Sequence, residues 1–248
     1  TLFRSFAYIR ERIIISTKTA ASDAEGFWKD LEESLRTLGT DYIDIYQFHN
    51  PAVCPKPGDG SGLYEAMLEA KEQGKIRHIG ITNHRLAAAE EAIRSGLYET
   101  LQFPFSYLAS ENDRKLAEAC HEAGMGFIAM KGLAGGLIHN SACAYAYLSQ
   151  PCFDYVEPIW GVQKEQELDE FLAYQEKPPV LDEELLAEIR KDQGQLSGDF
   201  CRGCGYCMPC PAGIRINDCA RMSLMLRRAP QQAWLSEMWQ EEMKKIEG

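Results

Sequence analysis

The chain has 248 residues, 45% of them hydrophobic and 25% charged, with a formal net charge of −11. That is the composition of a globular protein able to bury a sizeable core, and no segment reads as disordered. The acidic excess repels a phosphate backbone, which excludes nucleic acid as a partner, and no stretch reads as a membrane span or a secretory leader, so the expected compartment is the cytoplasm.

In chain order, residues 2–10 read as a helix carrying Tyr8, and residues 13–18 as a buried strand. Phe27, Leu31, Leu35 and Leu38 then mark one helical face, opened by a capping box from Ser22 to Glu25. Residues 42–49 form the next strand, and Leu63, Ala66, Met67 and Ala70 mark a helix that stops at Gly74. The alternation continues with strands over 77–82, 100–103, 126–130 and 155–160, and helices over 85–95, 112–123, 140–149 and 164–174. A helix after each strand returns the chain for a parallel neighbour, so the fold class is α/β with a parallel sheet of about six strand–helix units. Six units suit a doubly wound sheet and are two short of a (β/α)8 TIM barrel. No G-x-G-x-x-G follows any strand, so the dinucleotide fingerprint of the doubly wound class is absent.

Pro178-Pro179 punctuates the chain, which gives an expected division into a barrel-like part over 1–177 and a small helical module over 178–248. Asp182 caps a helix with Leu181, Leu185, Leu186 and Ile189 on one side, ended by Gly194 and Gly198. Five cysteines follow within nineteen residues: Cys201, Cys204, Cys207, Cys210 and Cys219. The strict C-x-x-C repeats suit a 4Fe-4S cluster, each iron taking one thiolate. Zinc is the alternative, and Cys210 or Cys219 can supply the fourth ligand. The other cysteines are scattered singly, as reduced small hydrophobes are. A stripe of Leu235, Met238, Trp239, Met243 and Ile246 is expected to dock the tail.

Lys18 ends the first predicted strand and His49 the second, and in a barrel both would emerge on the C-terminal rim, where that fold does its chemistry. Alone, each suits a solvated charge or a structural histidine equally well. The words around them are more specific. Ile15-Ser-Thr-Lys18, the run from Leu35 to His49 (LRTLGTDYIDIYQFH), the run from Gly74 to Asn83 (GKIRHIGITN) and Leu101-Gln102-Phe-Pro-Phe-Ser106 together resemble the aldo-keto reductase family, in order and spacing. The cysteine run is similar to a branch of that family with a ferredoxin-like tail.

The resemblance implies a TIM barrel, here N-terminally incomplete, that passes a hydride from NADPH to an aldehyde or ketone. It implies four catalytic residues, of which motif match supplies Lys18, easing proton donation from a tyrosine, and His49, orienting the substrate carbonyl. The aspartate and tyrosine of the family lie upstream of the lysine, so the chain reads as a fragment with impaired catalysis and marginal stability. For NADP(H), the resemblance assigns Thr82, Asn83 and Gln102 to the nicotinamide carboxamide. Thr82-Asn83 also suits a helix cap. Met130 stands where a stacking tyrosine is usual, and Lys131, Gly161 and Lys164 are the further cofactor candidates, the last two opening a helix that could receive an anion.

The expected function is thus an NAD(P)H-dependent carbonyl oxidoreductase with an appended 4Fe-4S cluster, its partners a small carbonyl substrate and a redox protein. The rival is an iron–sulfur electron-transfer or interaction subunit that uses an incomplete barrel as scaffold.

Overall fold

The computed structural model describes residues 3–196, 207–216, 219, 220, 222, 241 and 244. Its strands are β1 (Ser16–Thr19), β2 (Ile43–His49), β3 (Ile76–Thr82), β4 (Thr100–Pro104), β5 (Gly126–Met130) and β6 (Val156–Pro158). They form a parallel sheet in sequence order, β1-β2-β3-β4-β5-β6. The helices are α1 (Ala24–Leu38), α2 (Leu63–Glu72), α3 (Leu86–Ser95), α4 (Glu111–Glu122), α5 (Ser141–Leu148), α6 (Glu165–Glu176) and α7 (Glu183–Leu196). This strand–helix alternation is the architecture of part of a TIM barrel.

Two compact units divide the chain: Thr1–Phe103 with Glu111–Ile128, and Pro104–Ser110 with Ala129–Gly248. In the first, α1 buries Phe27, Leu31 and Leu35, a stripe at helical spacing. Phe27 meets Tyr46 of β2 edge-on at 5.6 Å, so Tyr46 and Phe48 face the helices while the alternate residues face the other way. Phe48 in turn packs edge-on against Tyr98. The foot of this sheet is tied by two carboxylates. Asp44, buried, accepts the Ile15 N–H at 2.9 Å and pairs with Arg10 at 2.7 Å and Arg77 at 3.0 Å. Both guanidiniums also lie over the Tyr42 ring, 3.8 and 3.9 Å from its centroid. Glu99 accepts the Ile79 N–H at 3.0 Å and meets Lys71 and the His78 ring.

In the second unit, Tyr107, Leu137, Ile138, Cys143, Ile189 and Leu196 belong to one buried cluster that brings α7 against α5. Tyr107 donates to Asp192 at 2.5 Å, and Gln193 to the Tyr107 carbonyl at 2.7 Å. Trp160 is stacked between Tyr145 and Phe171, at 5.8 and 4.8 Å.

Several expected boundaries shift for local reasons. The first strand begins only at Ser16, because the Ile15 N–H goes to the Asp44 side chain. Asp23 rather than Ser22 caps α1, its carboxylate accepting the Gly26 N–H at 2.8 Å. Residues 3–12 form a 3-10 helix broken at Ile9, and Tyr8 on it is exposed. The expected strand over 155–160 shrinks to Val156–Pro158, since proline has no N–H to donate. α7 runs through Gly194 to Leu196, whose burial offsets the glycine cost of about 0.5–1 kcal/mol.

Candidate functional site

Parallel register builds a polar face at the C-terminal end of the first unit's sheet. Lys18 stands opposite Gln47, Gln47 opposite Gly80, and Gly80 opposite Thr100. Two residues further along, His49 stands opposite Thr82 and Thr82 opposite Gln102. Since side chains alternate with period two, all these positions share the face opposite the helices. The adjacent parallel strands therefore carry Lys18 and His49 to one rim, both exposed. The two are electrostatically coupled: desolvation first, and the Lys18 charge second, hold the His49 imidazole below its ordinary pKa. A neutral imidazole at the rim can donate one ring N–H to a carbonyl oxygen and accept at the other nitrogen.

Beneath them lies a network of amides and hydroxyls. The Gln47 Nε2 amide donates to Ser16 Oγ at 2.9 Å and to Gln102 Oε1 at 3.0 Å, passing over β3 to reach β4. Gly80 makes that crossing possible: a Cβ there would lie 2.8 Å from Gln47 Cγ and collide with the Thr100 hydroxyl. Gln47 Oε1 is buried with no hydrogen-bond partner among the described residues. The Thr82 hydroxyl accepts the Asn50 N–H at 3.0 Å and keeps its own proton to donate. Asn50 takes a left-handed φ of 48°, which asparagine tolerates.

Asn83 is fully buried, and its carboxamide serves the chain itself. Nδ2 donates to the Pro51 carbonyl at 3.2 Å and Oδ1 accepts the Arg85 N–H at 2.9 Å, fixing the turn into α3. Arg85, not Asn83, is the N-cap position, and it makes no side-chain cap bond. The two Asn83 bonds use one N–H and one oxygen lone pair, and beside Asn83, Thr82 and Gln102 place a hydroxyl and an amide on facing residues of β3 and β4.

In the second unit Met130 ends β5, buried, with its carbonyl accepting the Phe105 N–H at 3.0 Å. Lys131 follows with φ 58°. Gly132 is needed for packing, since a Cβ would come within 2.6 Å of the Trp160 ring. Gly161 and Lys164 are exposed. Lys164 is the N-cap of α6, but the anion at that terminus is the chain's own: Glu167 Oε2 accepts the Gln163 N–H at 2.7 Å and the Lys164 N–H at 3.2 Å. Of the cluster candidates, Cys207 and Cys210 are partly buried, while Cys201 and Cys204 lie outside the described residues. Among the described residues no three His, Cys, Asp or Glu side chains gather as a metal site, and no helix is long and apolar enough to cross a membrane. The stripe from Leu235 to Ile246 is likewise outside them.

Gln47 is the site residue that sequence reasoning missed. Its signal was a polar amide inside the otherwise apolar strand word Tyr46-Gln47-Phe48.

With this geometry in place, comparison with known proteins gives the family. The aldo/keto reductase family profile matches residues 2–150, and the chain belongs to that family. It is 38% identical over 98 residues to an aldo-keto reductase of Mycobacterium avium (strain 104), covering 38% of this chain and 32% of the relative. To the methylglyoxal reductase DkgB of Salmonella typhi it is 46% identical over 66 residues, covering 25% and 23%. To the NADH-specific methylglyoxal reductase of Escherichia coli (strain K12) it is 30% identical over 114 residues, covering 46% and 35%. The chain thus spans about a third or less of the length of these relatives. Among solved structures, the holo form of aldo-keto reductase AKR11C1 from Bacillus halodurans superposes with a TM-score of 0.59 at 21% identity, over 78% of this chain and 75% of that one, a likeness of fold.

Proposed function

We propose that these residues belong to a nicotinamide-dependent carbonyl oxidoreductase. The observation that carries the proposal is the single polar face that Lys18 shares with the in-register row His49, Thr82 and Gln102 at the C-terminal end of a parallel sheet. His49, kept largely neutral, orients the carbonyl oxygen, and Lys18 supplies positive charge where negative charge develops on that oxygen during hydride arrival. Thr82 and Gln102 hold the nicotinamide carboxamide. NADP(H) supplies the hydride when bound. Met130 and Lys131 would be the further cofactor candidates that the family resemblance names. Two named relatives are methylglyoxal reductases, so a small ketoaldehyde is the first substrate to test.

Binding of NADPH and NADH, followed by nucleotide fluorescence, tests this reading. Gln102→Ala should weaken the bound nucleotide about tenfold, the worth of one lost hydrogen bond that must otherwise stay unmade. No binding of either nucleotide by the wild-type chain would sink the proposal.

The run of Cys201, Cys204, Cys207 and Cys210 favours an added 4Fe-4S cluster, and with it a redox protein partner. It also sustains the rival reading, in which the cluster is the active part and the sheet a scaffold. Iron and acid-labile sulfide of about four each per chain are expected. Bound zinc would remove the redox role.

A further inference from the structure

We infer that a cavity at the foot of the first unit, at the opposite end of the sheet from the rim, is a second binding site, for a small primary ammonium ion. The cavity has a volume of about 340 Å³, which falls in the lower range of small-molecule pockets. It lies wholly within the first unit, where β3 and β4 begin and α3 and α4 end. Its polar groups are His78 and Glu99, and Ile93, Tyr98 and Met125 supply apolar walls. His78 stands opposite Ile45 and four residues before Thr82, about 13 Å along β3 from the rim. The site is therefore separate from the nucleotide reading and does not depend on it.

The groups around the cavity select the ligand. Burial alone would raise the Glu99 pKa, but bonds from Lys71, the Ile79 N–H and the His78 ring outweigh it and hold the carboxyl below its ordinary value. An ionised carboxylate only accepts, so His78 Nδ1, 2.8 Å from Glu99 Oε2, carries a proton, and the neutral ring keeps Nε2 as an acceptor. Lys71 offsets the Glu99 charge at 2.5 Å, which leaves the helices to set the sign of the site. Both end at the cavity, α3 at its cap Gly96 and α4 before Gly124, and each C-terminus carries about half a negative charge. Arg94, in the last turn of α3, turns back to the Glu90 carbonyl, and among the described residues no lysine or arginine lines the cavity. An imidazole acceptor beside two negative helix ends suits a cationic N–H donor and disfavours a carboxylate. The apolar walls then take a short alkyl body.

Ligand-observed NMR saturation transfer on the full chain tests this, with n-butylammonium as the probe, butyrate as an anion of similar length, and the His78 ring resonance as the local reporter. Butylammonium should bind saturably in the millimolar range and shift the His78 ring while leaving that of His49 unmoved. Butyrate should do neither. Ala123→Lys, at an exposed lining position just past the end of α4, adds a tethered ammonium where a helix C-terminus favours one, and should weaken the added amine at least about tenfold. Glu99→Gln, which no longer fixes the proton on His78 Nδ1 and leaves Lys71 without its anion, should weaken it about tenfold. Butyrate binding as well as the amine, no saturable binding of butylammonium, a His78 ring that does not shift, or unchanged affinity in either folded variant overturns the inference. The exposed Ala123 position keeps the test open if Glu99→Gln fails to fold.

Discussion

Lys18 on β1 and His49 on β2 lie on adjacent parallel strands, and the charge of the first helps lower the proton affinity of the second. An imidazole so placed holds its neutral form further into the acid range than a free histidine.

The first prediction concerns that coupling. The His49 ring, followed by NMR through pH, should titrate below the ordinary histidine range. Lys18→Met should move the midpoint upward without fully restoring it, because desolvation is the larger cause. An unchanged midpoint in Lys18→Met would show that the ammonium does not reach the ring. The folded-state pKa is depressed, so the neutral histidine contributes stability above the unfolded-state pKa, lost as pH falls through that window.

Gly80→Ala tests the crossing of Gln47 over β3. The added methyl meets Gln47 Cγ and the Thr100 hydroxyl, which can move only by giving up the bond to Gln102 or the strand packing. Overpacking of this kind costs about 1–3 kcal/mol. The denaturation midpoint should fall accordingly, and nucleotide affinity should fall with it.

Asp44→Ala should be among the most damaging single changes. It strips the Ile15 N–H of its acceptor and leaves Arg10 and Arg77 facing each other across Tyr42 without their anion. Breaking a buried pair from one side costs about 3–5 kcal/mol, to be read from urea unfolding curves. A loss below about 1 kcal/mol, the range of exposed pairs, would mean the pair is solvent-screened.

The tyrosines predict an alkaline limit. Burial first raises Tyr98 and Tyr107 above the ordinary tyrosine pKa, followed at Tyr98 by neighbouring negative charge and at Tyr107 by the hydrogen bond to Asp192. A folded-state pKa raised in this way gives stability that is complete below the unfolded pKa and is lost as pH climbs past it. Unfolding monitored by tyrosinate absorbance should begin above about pH 10 and be cooperative. Tyr107→Phe, which removes the Asp192 partner, should reduce that dependence.

The period of the hydrophobic pattern made the strand–helix alternation readable, because Phe27, Leu31 and Leu35 or Tyr46 and Phe48 declare their faces by spacing alone. Lys18 and His49 were readable as strand-end residues, and Thr82 and Gln102 through the family resemblance. What spacing cannot carry is the commitment of a side chain to its own backbone. Asn83 also ties Pro51 to Arg85, a role its position in the strand-end word does not announce, and the terminus of α6, expected to receive an anion, is already served by Glu167. Gln47 stayed hidden for the opposite reason, since its partners come from β1 and β4, 31 and 55 residues away.

Arg10 carries one last implication. It reaches from the Phe3–Arg12 segment to the Thr40 hydroxyl, the Tyr42 carbonyl and Asp44, so that segment cannot detach while the start of β2 stays closed. The two should behave as one cooperative unit in native-state hydrogen exchange, with amides near Arg10 and near Asp44 becoming deuterated through the same opening event.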